Sequence, residues 1–560
     1  MLTLSTPISV GHAMEYYKEK FTNKKENYYS QSGEVKGQWC GTLAEEWNLK
    51  GEVSSEQYER VVAGQDPHTG EQLIRIVSAR EVVDEDGKKK ITSTHRAGWD
   101  ATISAPKSPS LAALVGGDEG VRVAHRESLE VTVKEFEKYV QARGGGDKPA
   151  ITTGKMIAAL FEHTSSRPDH KHGYAAPQLH THVVIFNMTQ TEDGKVRSVE
   201  SGELFNSQKL MTAIYRANLA EKLQALGYEI RVDPSTGAPE IKGFTAEYLH
   251  DSSPRRQEVL TEAQKIRARM ASEGKTVSDN ARVKQVAARK NRRSKNFDRE
   301  LMKTLALEMD VRHDYQAQRI VAEARERLPL RLSQNEIERR AQEAVTFGRD
   351  KIMEKDAVAD MRNLRMHALR RQLGFTTYAA VAAEIQRRQE SGEFINIMRQ
   401  ERPPETTTQR MVTMEKKNIQ TMIDGRENRP AMVEAERVSD VVTATAKHQQ
   451  RRLNAHQKSA IEQILCSRDR IIGLQGGAGT GKTTALSVLR EAVEKEGYQV
   501  RGFAPSARAA QQLGESGIES ETIQLFLRRR KPPATTSRLF VLDESSLAST
   551  KHIYLSLIHI

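Results

Sequence analysis

Cysteine is almost absent from this chain, aromatic residues are sparse and long apolar runs are missing, and each shortage removes a class of answer. With only Cys40 and Cys466 among 560 residues, far apart in sequence, there is no disulfide framework and no cysteine metal site. Phe, Trp and Tyr supply 5% of the chain and the mean hydropathy is -0.63. No apolar run approaches the roughly 18 residues that would suggest a membrane span. The opening MLTLSTPISVGH has neither a basic leader nor a cleavage-site pattern, so a soluble cytoplasmic protein is expected. Acids fall short of bases, 74 against 86, leaving a formal net charge of +12, which fits a polyanionic partner without proving one. The length exceeds what one core usually organises, so two or three domains are expected.

What the chain does have is a concentration of histidine between Phe161 and Asn187, FEHTSSRPDHKHGYAAPQLHTHVVIFN. His180 and His182 lie two residues apart just before the apolar run Val183 to Phe186, and in a strand that spacing puts both imidazoles on one face. His163 ends a second apolar run, Met156 to Phe161, and stands beside them if the two runs pair. Three neutral imidazoles that leave part of the coordination sphere open make a catalytic metal site. A histidine pair in a strand can also be simply hydrogen-bonded within a sheet; the third histidine is what favours a metal. His170 and His172 repeat the spacing among Arg167, Pro168, Asp169 and Gly173, and read as solvated loop residues.

Around these runs the pattern is mixed. Met1 to Ile8 reads as a strand and Gly11 to Lys20 as a helix carrying Tyr16 and Tyr17; a polar stretch follows, then a second pair, Tyr28 and Tyr29. Gly98 to Leu114, GWDATISAPKSPSLAAL, reads as a strand that stops at Pro106 and a helix that begins after Pro109, with Ser108 or Ser110 near its N-cap. Glu119 to Arg143 reads as a second helix, ended by Gly144 to Gly146. Strands interspersed with helices and no regular crossover point to an α+β domain with a mainly antiparallel sheet. Composition shifts after about residue 245. Ala281 to Glu300 carries eight Lys or Arg against two acids, a solvated or a phosphate-contacting helix. A charged helical pattern then runs to about residue 450, with Thr346 to Ile395 as a compact helical module and Arg402 to Gln450 as a connector.

Near the end, the apolar run Arg470 to Leu474 reads as a strand leading into Gly476-Gly477-Ala478-Gly479-Thr480-Gly481-Lys482-Thr483, and a helix pattern follows. That is G-x-x-x-x-G-K-T in the setting the motif needs. Backbone N–H groups of the glycine loop and helix start would cradle the phosphates of ATP, with Lys482 on the outer phosphates and Thr483, followed by Thr484, at Mg²⁺. RLFVLDE, Arg538 to Glu544, is an apolar strand ending in Asp543 for the metal and Glu544 for water activation. Gln457 stands where related motors contact adenine.

Four blocks, the tyrosine pairs, GWDATISAPKS at Gly98 to Ser108, HTSSR at His163 to Arg167 and PQLHTHVVIFN at Pro177 to Asn187, together with the trailing P-loop, resemble the conjugative plasmid relaxases in which a histidine-triad (HUH) nuclease is fused to a superfamily 1 helicase, the MobF/TrwC-like relaxases. The resemblance implies a relaxase domain over residues 1–300 with an antiparallel-sheet palm and flanking helices, a helical connector over 301–450 and the start of a RecA-like α/β P-loop domain over 451–560. It implies a metal-dependent, site- and strand-specific nickase: a tyrosine oxygen attacks a phosphodiester of transfer-origin DNA, leaving a 5′-phosphotyrosyl link and a free 3′-hydroxyl, and strand transfer follows. Tyr16 matches the first nucleophile and Tyr28 the second, with Tyr17 and Tyr29 as their neighbours; the gap between the pairs is longer than the family leads one to expect. His163, His180 and His182 match the ligands of a divalent ion, Mg²⁺ or Mn²⁺ with Zn²⁺ as an alternative, and Asp100 the acid beside them, which either orients an imidazole or takes the proton. Arg96, Lys107, Arg289, Lys290, Arg292 and Arg293 are candidate contacts to single-stranded DNA. The implied partners are relaxosome proteins and a type IV secretion coupling protein, in a bacterial cytoplasm from which the protein is translocated with DNA.

The chain departs from the family at its end. Only the beginning of the first RecA-like domain is present, so weak ATP binding and no unwinding are expected. The terminal LeuSerLeuIleHisIle is what a common sequencing-library transposon end gives when translated, so a longer natural protein is expected. Two rival readings remain at this stage: a P-loop motor whose N-terminal domain only binds DNA, and a three-histidine metal oxygenase or hydrolase of the barrel type. The second would want a carboxylate among the ligands and no paired tyrosines.

Overall fold

The computed structural model describes residues 1–10, 13–14, 37–74, 80–83, 89–92, 96–171, 173–274, 283, 286–287, 298–330, 332–397, 404–477, 479–529 and 536–559. The chain folds as two compact units. One is built mainly from Met1–Gly348 with Arg362–Ile385, the other from Arg349–Met361, Gln386–Met398 and Pro404–Ile560.

The first unit is organised by a six-stranded sheet. In chain order its strands are β1 (Leu2–Leu4), β2 (Ile8–Ser9), β3 (Gln38–Cys40), β4 (Arg96–Ser104), β5 (Ala158–Ser165) and β6 (Pro177–Phe186). They lie in the order β1-β4-β6-β5-β3, with β2 also on β4, and every pairing is antiparallel. The two apolar runs that carry the histidines therefore do pair. Gly98 makes the close approach of β4 to β6 possible, because a Cβ there would sit 2.0 Å from the Ile185 carbonyl oxygen.

Two long helices cover one face of this sheet: α1 (Glu119–Glu137), capped by the Asp118 side chain, and α2 (Gly202–Ala225). The second is buried almost all round, through Leu210, Met211, Ile214, Leu219 and Leu223 among others, as expected of a helix enclosed in a core. The far end of the opposite face is closed by Trp39, Tyr58, Phe161, Val184 and Phe186; Tyr58 meets Phe161 and Phe186 edge-on at 6.3 and 5.3 Å.

Two expected boundaries move. The helix after β4, Lys107–Leu114, begins before Pro109, with Pro106 in the N-cap position. Proline at 109 is tolerated because first-turn N–H groups have no helical partner. Ser108 and Ser110 are thus buried inside the helix: Ser108 N–H and Oγ donate to Glu240 Oε2, and Ser110 Oγ donates to the Pro106 carbonyl. The helix starting at Glu119 stops at Glu137, and Gln141–Ala142 is already strand. Of the expected helix Gly11 to Lys20, only Ala13 and Met14 are described, and both are helical.

The stretch read as a helical module and connector also contains a three-stranded antiparallel sheet, Ala359–Asp360, Glu405–Thr408 and Phe394–Ile397. Residues 346–395 contribute to both units rather than forming one module. In the second unit a parallel sheet places Gln499–Ala504 between Glu519–Thr522 and Arg538–Leu542. The run Arg470 to Leu474, expected as a strand, takes up no strand pairing, and Ile472 and Leu474 are exposed. Apolar character alone does not make a strand; a ladder partner is required.

Candidate metal and DNA site

Strand register decides which side chains meet. His180 lies opposite both His163 on β5 and Ser104 on β4, and His182 lies opposite Thr102. Because side chains alternate along a strand, His163, His180, His182, Thr102 and Asp100 share one face, while Thr181, Glu162 and Ala101 point to the helices behind. The three imidazoles gather with ring centres 5.4 Å (His163–His180), 5.0 Å (His163–His182) and 5.1 Å (His180–His182) apart. His163 is buried, and His180 and His182 are half-buried.

The outer ring nitrogens of His180 and His182 are held. His182 Nδ1 stands 2.8 Å from Asp100 Oδ2 and 2.9 Å from Oδ1, with Thr102 Oγ1 at 3.3 Å. His180 Nδ1 stands 2.9 Å from the carbonyl oxygen of Gln178. Each contact makes Nδ1 the protonated nitrogen and leaves Nε2 the lone pair, the arrangement typical of metal-ligating histidines. Three imidazoles bound through nitrogen at about 2.0–2.1 Å, at near-tetrahedral angles, would have ring centres about 5 Å apart. The ring-centre spacing is close to what an ion would require, but among the described residues no group of three or more His, Cys, Asp or Glu is placed so that it could hold one as it stands.

This geometry falls inside residues 10–311, which match the family described as TrwC relaxase. The chain belongs to the TrwC relaxase family. It is 32% identical over 280 residues to the multifunctional conjugation protein TraI of Escherichia coli, a match covering 48% of this chain and 14% of TraI. It is also 37% identical over 124 residues to the conjugal transfer protein TraA of Agrobacterium fabrum, covering 21% of this chain and 11% of TraA. The chain thus spans a small part of the length of the curated relatives it matches. Among solved structures, a copper-bound conjugative relaxase TrwC in complex with oriT DNA aligns at 30% identity with a TM-score of 0.44, over 56% of this chain and 98% of that one. Residues 452–557 separately match an AAA domain.

The candidate residues of this relaxase-family chain fare differently. Tyr16, Tyr17, Tyr28 and Tyr29 lie outside the described residues, as do Arg289, Lys290, Arg292 and Arg293. Arg96 is exposed at the start of β4. Lys107 is committed to the fold: its ammonium donates to the Pro177 carbonyl at 2.8 Å, and burial lowers its pKa to about 7 against the opposing pull of Glu240. His170 is half-buried and its backbone N–H donates to Glu258 Oε1; His172 lies outside the described residues. Sequence reading missed Thr102 and Gln178. The first had a signal, since Asp100-x-Thr102 repeats the period of two that His180-x-His182 shows; the second contributes only a carbonyl, which any residue supplies.

At the P-loop, Gly479 and Gly481 both adopt φ of +77°, and Gly481 caps the helix Lys482–Lys495. Lys482 Nζ donates to the Gly476 carbonyl at 2.8 Å. Gln457, third residue of a helix with a capping box, donates through Nε2 to the carbonyls of Thr480 and Gly481. Thr483 is exposed and Thr484 half-buried. Asp543 follows the strand Arg538–Leu542, its Oδ1 accepting from Glu544 N–H.

Proposed function

We propose that this chain is a conjugative relaxase that nicks one strand of transfer-origin DNA by tyrosine transesterification and transfers that strand. The observation carrying this reading is the convergence of His163, His180 and His182 beside Asp100, in a chain of the TrwC relaxase family. The three histidines would hold a divalent ion, Mg²⁺ or Mn²⁺ with Zn²⁺ as an alternative; when bound, it neutralises charge on an oxygen of the scissile phosphodiester.

The chain's own residues do the remaining work. Asp100 holds the His182 imidazole in one tautomer and orientation, and the short contact to Nδ1 supports this over proton abstraction. The Gln178 carbonyl does the same for His180. Tyr16 is the nucleophile: its oxygen forms a bond to phosphorus, the bond from phosphorus to the 3′-oxygen breaks, and the tyrosine proton is lost as the leaving oxygen gains one. Tyr28 serves a second transfer, with Tyr17 and Tyr29 in support. Shape and phosphate charge recognise the DNA, so binding falls steeply with salt. The P-loop would hold ATP and Mg²⁺ weakly through Gly476, Gly479, Gly481, Lys482, Thr483 and Thr484, with Asp543 and Glu544 placed for the metal and the water. The partners are relaxosome proteins and a type IV secretion coupling protein in the bacterial cytoplasm.

The test is a covalent adduct between the chain and labelled single-stranded oligonucleotides from around its own gene, resolved on a denaturing gel. Adduct that forms with Mg²⁺ or Mn²⁺ and is abolished in Tyr16→Phe supports the reading. A chain that binds DNA without any adduct would instead be a P-loop motor with a DNA-binding N-terminal domain.

A further inference from the structure

We infer that His125, on the far side of the sheet from the histidine triad, is a positioning residue for the metal site and acts through Thr181. The inference rests on the metal site proposed above. Thr181 is the residue between His180 and His182, and alternation along the strand turns its side chain to the opposite face. There its hydroxyl lies 2.9 Å from His125 Nε2, and His125 Nδ1 lies 2.6 Å from the Tyr215 hydroxyl. His125 and Tyr215 are fully buried and Thr181 is 2% exposed. His125 belongs to α1 and Tyr215 to α2, so both helices behind the sheet are tied to one residue of the ligand strand.

A valine, a leucine and a phenylalanine would fill such a space without the cost of burying three polar groups. What the polar set adds is direction. A neutral imidazole offers one donor and one acceptor, and each hydroxyl can serve as either, so the chain Tyr215–His125–Thr181 is satisfied only when the three groups hold a fixed orientation. Fixing the Thr181 side chain fixes the roll of the strand about its axis, and that roll sets the splay of His180 and His182 on the front face. His125 has no route to DNA or metal itself.

The test measures Mn²⁺ affinity and thermal midpoint on the full chain for wild type, Thr181→Val, His125→Phe, His125→Gln and His180→Ala. Thr181→Val keeps the shape and removes only the hydroxyl. The expected result is that His180→Ala abolishes binding. Thr181→Val should weaken it about 3- to 10-fold, short of the 10- to 100-fold typical of groups bonded directly to a ligand, and should lower the midpoint because His125 Nε2 loses its buried partner. His125→Gln, which retains a donor and an acceptor, should bind more tightly than His125→Phe. Unchanged affinity in Thr181→Val, with His180→Ala inactive in binding, would overturn the positioning role and leave the metal site standing. Absence of Mn²⁺ binding sensitive to His180→Ala would overturn both.

Discussion

Asp100 presents both carboxylate oxygens to a single atom of His182, Oδ2 at 2.8 Å and Oδ1 at 2.9 Å from Nδ1. The pair is mostly buried, with side chains 10% and 12% exposed. Removing the negative charge while keeping the shape, as in Asp100→Asn, is expected to lower divalent-metal affinity by roughly 10- to 100-fold. Isothermal titration with Mn²⁺ reads this directly, and an unchanged dissociation constant would remove Asp100 from the site.

Acid stability should carry the signature of His125. Burial pushes its pKa down to about 4, with Arg126 and Arg122 adding to the effect and Glu162 opposing it. Its ordinary value is about 6.5, so between these limits the unfolded chain binds a proton that the folded chain does not. Stability from this group is complete above about pH 6.5 and is lost as pH falls toward 4, a difference on the order of 3 kcal/mol. Urea unfolding of the first unit at several pH values should show this slope, and His125→Gln should flatten it.

Glu135 ties the segment Arg362–Ile385 to the first unit. It is 2% exposed and accepts from Arg365 Nη1 at 3.0 Å, while Arg362 pairs with Glu203 at 2.5 Å and lies over the Tyr139 ring. Arg365 is partly exposed, which screens the pair, so Glu135→Ala is expected to cost about 1–3 kcal/mol, less than a fully buried pair. Limited proteolysis should then cut within residues 362–385 first; an unaltered pattern would mean that the segment is held by other contacts.

Lys482 bonds to the Gly476 carbonyl across the loop that would receive phosphates. If the loop binds nucleotide, Lys482→Ala should weaken a fluorescent ATP analogue by at least about tenfold, the scale of one charge-assisted hydrogen bond. Equal binding by the variant would show that the analogue sits elsewhere.

The features legible in the sequence are those written with a local period. His180-x-His182 predicts a shared face, and the pairing of its apolar run with the one before His163 follows from two strands seeking a partner. Contacts made over long separations had no such signal. His125 sits in GVRVAHRESLEV like any half-polar helix residue, and nothing nearby indicates that it bonds a threonine 56 positions on. Arg362 reaches back 159 residues to Glu203. Pro109 misled because proline reads as a helix boundary, whereas the first turn of a helix accepts it. The run Arg470 to Leu474 has the composition of a buried strand, but that identity is conferred by neighbours in a sheet, and the described strands pair elsewhere.

Formation of a covalent protein–DNA adduct tests the central claim most directly. The 560-residue chain is mixed with labelled single-stranded oligonucleotides tiled across the DNA around its gene, with Mg²⁺, Mn²⁺ or chelator, and resolved under denaturing conditions. The account predicts one shifted species on one strand, lost in chelator and in Tyr16→Phe and strongly reduced in His180→Ala. An adduct that persists in chelator and in His180→Ala, or none with any oligonucleotide while the wild-type chain binds Mn²⁺, would contradict it.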